Sequence, residues 1–167
     1  MLDEAAAVSV RQIAKRLDLP PYLGENLMLA AAALEVLGIG FDEMSFDAPL
    51  FGRLTTIAPN VLLDVGHNIL AAEAIARTLG ERKVTLVYNS YGDKDYRAIL
   101  QTLRGNIERV ELIALQNERQ APQEALREAL VSLQIPFGDF KGLENGRQYL
   151  VFGSFSVAEA FLKQTGF

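Results

Sequence analysis

The 167-residue chain contains no cysteine, and its only histidine is His67. Without thiols there are no disulfides and no thiolate metal sites, and a single imidazole excludes a multi-histidine zinc centre. Basic residues are the minority charge, 16 Lys and Arg against 21 Asp and Glu, for a formal net charge of −5. Such a chain lacks the positive footprint of a nucleic-acid or anionic-membrane binder. Long apolar runs are missing as well. The longest, 27-LMLAAAAL-34, is well short of the roughly 18–20 residues of a membrane span. Asp3 and Glu4 come early and no apolar h-region follows, so no secretory signal is expected and the cytoplasm is the expected location. A carboxylate-bound Mg²⁺ stays compatible, because it needs only oxygen ligands.

What the chain does have is a 50% hydrophobic content in two different patterns. Residues 4–17 place Val10, Ile13, Ala14 and Leu17 at helical spacing. Pro20 and Pro21 interrupt that helix, and 25–37 reads as a second one, rich in strong helix formers and closed by Gly38. Residues 38–52 read as a loop with Gly38, Gly40, Pro49 and Gly52. Beyond it, short apolar strands alternate with helices. Strands are expected at 53–57, 61–65, 84–89, 109–115, 135–139 and 148–152, and helices at 69–79, 95–104, 122–133 and 155–164. Runs such as VLLDV, VTLVY and YLVFG show no polar alternation, as strands covered on both faces should. The expected fold is therefore α/β: a Rossmann-like, mostly parallel sheet with helices on both faces, preceded by a short helical segment. The expected division is a helical tail over 1–46, too short for its own core, and an α/β domain over 47–167.

Three strand-to-helix junctions carry polar residues. In parallel sheets, ligands bind outside the carboxyl ends of the strands. Asp64 ends one strand, and His67 and Asn68 open the next helix. A strand-end carboxylate can accept from ribose hydroxyls, a helix start favours anions, and an imidazole can act as acid or base. The plainer alternative is that Asn68 caps the helix and Asp64 stabilises the turn. The second junction, 88-YNSYGDKDY-96, offers Lys94 to an anion and Asp93 or Asp95 as a cap; a solvated turn is the alternative. In the third, 150-LVFGSFSVAEAF-161, Gly153 permits close backbone approach and Ser154 is a natural N-cap. Ser154 lies outside any G-x-S-x-G elbow, which argues against a serine hydrolase.

These motifs, in this order, resemble the C-terminal domain of folylpolyglutamate synthase/dihydrofolate synthase, within the Mur ligase family of ATP-dependent amide-forming enzymes. The resemblance rests on Gly52-Arg53, Asp64-x-x-His67-Asn68, Asp93-Lys94-Asp95 and Gly153-Ser154-Phe155. Upstream, 26-NLMLAAAALEVLG-38 looks like the helix that closes the family's central ATPase domain. The resemblance implies that ATP phosphorylates a folate-side carboxylate and that L-glutamate attacks the acyl phosphate. By the same resemblance, Arg53 would contact ATP phosphates, Asp64 the ribose and Asn26 the adenine region. His67 would lie by the reaction centre, while Lys94 and Ser154 would hold glutamate. No metal-ligand role is implied for any residue of this chain.

The pattern departs from the family in places. Phe51 stands where Pro precedes Gly-Arg, Val65, Gly66 and Ile69 replace family residues around His67, and Tyr22-Leu23 replaces a His-Gln pair. No G-x-x-x-x-G-K-[ST] phosphate loop occurs anywhere. The expectation is a C-terminal part of a longer ligase, inactive alone, with Mg²⁺ and most folate contacts in the N-terminal ATPase portion. A non-catalytic, stand-alone Rossmann-like nucleotide- or partner-binding module is the alternative. A DNA-binding reading of 9-SVRQIAKRLDLP-20 fails on charge, since Asp18 to Gly52 holds six acids and no Lys or Arg.

Overall fold

A computed structural model describes residues 4–17, 19, 21–40, 51–116 and 118–167. The chain divides into two compact units, Met1–Leu50 and Phe51–Phe167. The expected boundary at 46/47 and most of the expected loop lie outside the described residues.

The first unit is a pair of helices, α1 (Glu4–Arg16) and α2 (Pro21–Val36). Among the described residues, Val10 and Ile13 of α1 and Ala31 of α2 are its buried apolar residues. The helices meet where Gly24 faces Ala14; a Cβ on Gly24 would lie 3.6 Å from the Ala14 Cβ, ordinary contact. Helix α2 starts four residues earlier than the sequence pattern predicts. Pro21 occupies the first helical position, where the missing N–H has no helical partner to lose.

The second unit is a six-stranded sheet of β1 (Thr55–Ala58), β2 (Val61–Asp64), β3 (Val84–Tyr88), β4 (Ile107–Leu112), β5 (Phe137–Asp139) and β6 (Tyr149–Phe152). Its helices are α3 (Ile69–Leu79), α4 (Tyr96–Leu103), α5 (Gln123–Ser132) and α6 (Phe155–Thr165). The strand order is β1-β2-β6-β3-β4-β5. Only β1 runs antiparallel to its neighbour; β2, β6, β3, β4 and β5 are parallel. One face packs Leu86, Tyr88, Val110 and Leu150 against α3, α4 and α5 through Ile75, Leu100 and Leu126. The other packs Leu63, Val87 and Val151 against Val157 and Phe161 of α6. Helices therefore cover both faces, as the sequence pattern predicts, and each parallel strand run is apolar on both sides for that reason.

One acid enters the α6 face. Glu111, 4% exposed, takes a hydrogen bond from Arg147 Nη1 at 3.2 Å and has Arg109 Nε at 3.5 Å. Burial pushes its carboxyl above the ordinary carboxylate range, and the two guanidiniums oppose that shift. Arg147 also pairs with Glu144 at 2.9 Å, so the network ties β4 to the loop that feeds β6. No helix among the described residues is long and apolar enough to cross a membrane.

Candidate functional site at the carboxyl end of the sheet

Strands β2, β6 and β3 are adjacent and parallel, with Asp64, Phe152 and Tyr88 side by side in register. The three polar junctions therefore emerge at one end of the sheet. Their shared floor is the stacked pair Tyr88 and Phe152, ring centroids 6.4 Å apart. Burial pushes the Tyr88 hydroxyl above its ordinary value, so the floor is uncharged.

The β2–α3 junction is built around Asp64, which is 2% exposed. Its Oδ1 accepts from the Gly66 N–H at 2.7 Å and its Oδ2 from the Leu54 N–H at 3.0 Å. The second bond reaches back ten residues and straps the segment before β1 onto the end of β2. The Val65 N–H donates to the Gly52 carbonyl at 2.8 Å, and the Gly52 N–H to Thr55 Oγ1 at 3.0 Å. Gly52 has φ +86°, and a Cβ there would sit 2.8 Å from Val65 Cγ1. Arg53, exposed, rides on this strap. Leu54, at φ 45°, is held in the left-handed region, a strained state that the two fixed ends of the strap impose. His67 is exposed, with Nδ1 a long 3.4 Å from the Val65 carbonyl. Asn68 caps α3, its Oδ1 accepting from the Ala71 N–H at 2.8 Å.

The β3–α4 junction is zipped to the loop after β4. Tyr91 bridges Gln120, the Gly92 N–H donates to the Arg119 carbonyl at 2.9 Å, and the Ala121 N–H to the Ser90 carbonyl at 2.7 Å. Asn89 locks the base of the loop, donating to the Ile113 carbonyl at 2.7 Å and accepting from the Ser90 N–H at 2.7 Å. Lys94 Nζ lies 2.9 Å from Asp93, and Arg119 lies 3.7 Å from the same carboxylate. The hydrogen bond from Lys94, reinforced by both cationic charges, holds the Asp93 carboxyl below its usual range. Asp95, not Asp93, caps α4, accepting from the Ala98 N–H at 3.0 Å.

At the β6–α6 junction Gly153 has φ +135°, and a Cβ there would stand 2.2 Å from the Asn89 carbonyl oxygen. Only glycine lets β6 and β3 end this close together. Ser154, 3% exposed, caps α6 by accepting from the Val157 N–H at 3.2 Å. Two residues on, Ser156 Oγ and the Tyr91 hydroxyl are 2.9 Å apart, joining the second and third junctions.

The sheet thus brings Arg53, Asp64, His67, Lys94 and Ser154 to one end. Asn26 is exposed on α2 in the first unit. Sequence reasoning missed Tyr91, Arg119 and Ser156, which no local motif marks. It also missed an apolar rim: Phe51, Leu70 and Phe155 are more than half exposed beside the polar tips. Hollows of about 460 Å³ along α5 and about 280 Å³ at the opposite sheet end, near Asn60, Lys83 and Gln148, lie away from these junctions. Among the described residues, no group of three His, Asp or Glu side chains is arranged to hold a metal ion.

No protein-family model and no curated protein matches the sequence. Solved structures do. The folylpolyglutamate synthetase of Helicobacter pylori is 33% identical, with a TM-score of 0.77, over 98% of this chain and 44% of that one. The bifunctional folylpolyglutamate synthase/dihydrofolate synthase of Yersinia pestis, complexed with AMPPNP and a Mn ion, is 25% identical, TM-score 0.65, over 80% of this chain and 38% of that one. Folylpolyglutamate synthase of Mycobacterium tuberculosis, complexed with ADP, is 24% identical, TM-score 0.69, over 86% and 39%; at that identity the likeness is one of fold. The chain spans less than half the length of each of these proteins.

Proposed function

We propose, for a chain that is a C-terminal domain of folylpolyglutamate synthase/dihydrofolate synthase, that its strand-end loops form one wall of an ATP-dependent amide-forming site. The intact polypeptide adds L-glutamate to the carboxylate of a folate or of dihydropteroate. The observation that supports this reading is the convergence of the Arg53, His67, Lys94 and Ser154 junctions at one sheet end.

In the proposed reaction the γ-phosphoryl group of ATP passes to a substrate carboxylate oxygen, giving an acyl phosphate and ADP. The glutamate nitrogen attacks the acyl carbon, loses a proton, and phosphate leaves. Arg53 suits the phosphates, because a guanidinium on an exposed strap makes charge-assisted bonds to phosphate oxygens. Asp64 holds that strap through the Leu54 N–H. Asp64 is assigned to the ribose, whose hydroxyls can donate to a strand-end carboxylate. His67, exposed just before α3, carries an imidazole that suits proton uptake or relay. Lys94 and Ser154 receive the incoming glutamate; Ser154 accepts a backbone N–H and keeps its own O–H to donate. Asn26, from the first unit, is assigned to the adenine region as part of the central ATPase domain. A Mg²⁺ ion would neutralise phosphate charge and is assigned mainly to the upstream portion.

With no phosphate loop in its 167 residues, the chain alone supplies one wall and does not turn over. The intact enzyme works in the cytoplasm. The test is coupled ADP release by the intact polypeptide, comparing dihydropteroate with tetrahydrofolate. ADP release that requires both glutamate and a pteroyl substrate is expected. Release indifferent to glutamate, or none, overturns the reading and favours a non-catalytic binding module.

A further inference from the structure

The Asp93 carboxylate sits between two cations drawn from different loops, Lys94 at 2.9 Å and Arg119 at 3.7 Å. The three side chains are accessible to solvent, and what positions Arg119 is its backbone and a ring contact. Arg119 is fixed at its backbone, where its carbonyl accepts from the Gly92 N–H and its neighbour Gln120 bridges Tyr91. It is fixed again at its guanidinium, which lies 5.0 Å over the Tyr91 ring. Tyr91 in turn is held by its hydroxyl against Ser156, two residues from Ser154. An exposed arginine that lies over an aromatic ring, beside Lys94 and Asp93, has less rotamer freedom to lose when an anion arrives than one without such a contact. Two cations converging on one carboxylate also recognise it far better than one, because a planar guanidinium adds directional hydrogen bonds to the point charge of an ammonium.

We propose that Lys94 and Arg119 form a preassembled two-cation receptor for a carboxylate of the incoming amino acid, with Asp93 as the internal carboxylate that occupies it until substrate binds. The proposal rests on the ligase reading above and adds a specificity-determining residue, Arg119, and a gate, Asp93. The receptor takes the side-chain carboxylate of a dicarboxylic amino acid and discriminates against its amide, since an uncharged carboxamide cannot displace Asp93 from two cations.

Steady-state ligation by the intact polypeptide tests it, with L-glutamate and L-glutamine as competing acceptors. Arg119→Gln is expected to raise the KM for glutamate about 10-fold, as loss of one charge-assisted contact should. It should leave the KM for ATP unchanged and lower the glutamate-over-glutamine preference by the same factor. Arg119→Lys should recover part of that preference, while Asp93→Asn should lower the KM for glutamate severalfold. An unchanged preference in Arg119→Gln, with the wild type active, overturns the receptor and leaves the ligase reading standing. Loss of preference in Arg119→Gln that Arg119→Lys restores fully without change in Asp93→Asn overturns the gate. A wild-type polypeptide that ligates no glutamate overturns both this proposal and the reading beneath it.

Discussion

Asp64→Asn separates two ways in which a strand-end acid can matter. The carboxylate is 2% exposed and each oxygen accepts one backbone N–H, from Gly66 at 2.7 Å and Leu54 at 3.0 Å. The amide isostere keeps one acceptor and turns the other into a donor. Whichever way it is oriented, one backbone N–H then faces an NH₂ group inside the protein. A hydrogen bond to a charged group contributes about 1.5–3 kcal/mol, and a buried donor left unpaired costs about 1–3 kcal/mol. Partial relaxation of the strap, already strained at Leu54, brings the expected loss to about 3 kcal/mol. With a urea m-value of roughly 2 kcal/mol/M, the unfolding midpoint of the free chain falls by about 1.5 M. Buried Tyr88 and Tyr149 provide the near-ultraviolet dichroism signal for following the sheet unit. The experiment uses no nucleotide. A midpoint within about 0.2 M of wild type would refute the reasoning, because a residue that only contacted ribose would leave the free chain equally stable or more so.

Other expectations follow from the same geometry. Gly153→Ala combines a φ of +135° with a Cβ 2.2 Å from the Asn89 carbonyl oxygen, so it should lose about 3 kcal/mol or more by urea unfolding. Phe161→Ala empties the space against Phe140, ring centroids 5.4 Å apart, and should cost about 3–5 kcal/mol in the same assay. The Glu111 carboxyl is raised in the folded state by burial, so its contribution to stability is fully present below the ordinary value of 4.5 and is lost as pH rises through the raised value. Glu111→Gln should therefore gain stability relative to wild type over that window in thermal melts, and a stability difference that does not change with pH would contradict it. His67→Ala touches only a long contact to Val65 and should leave the unfolding midpoint within error of wild type.

The chain's local grammar carried most of the architecture. Helix α3 spans the predicted 69–79, because Asn68 and Gly80 cap it and an apolar stripe runs between them. The caps Asn68 and Ser154 are legible for the same reason, a short polar side chain before an apolar helical run, whereas the choice between Asp93 and Asp95 needs the structure, which gives Asp95. The sequence pattern predicts a strand over 109–115, whereas β4 spans Ile107–Leu112. Ile113 and Leu115 are buried and apolar like strand residues, but lie past the end of the pairing. What stayed hidden depends on contacts distant in sequence. The Asp64 strap needs Leu54 in a backbone state that no propensity favours. Arg119 joins Asp93 across 26 residues only because the Tyr91–Gln120 bridge folds one loop onto the other. Leu70 and Phe155 stand exposed in the first turns of α3 and α6, and no motif marks either as a surface position.

The most direct measurement is glutamate-dependent ADP release by the intact polypeptide carrying His67→Ala or Lys94→Ala, each checked for an unchanged melting temperature. If the sheet end is the wall against which nucleotide and glutamate react, both variants lose activity by about 100-fold or more while remaining folded. Undiminished release from both would contradict the account.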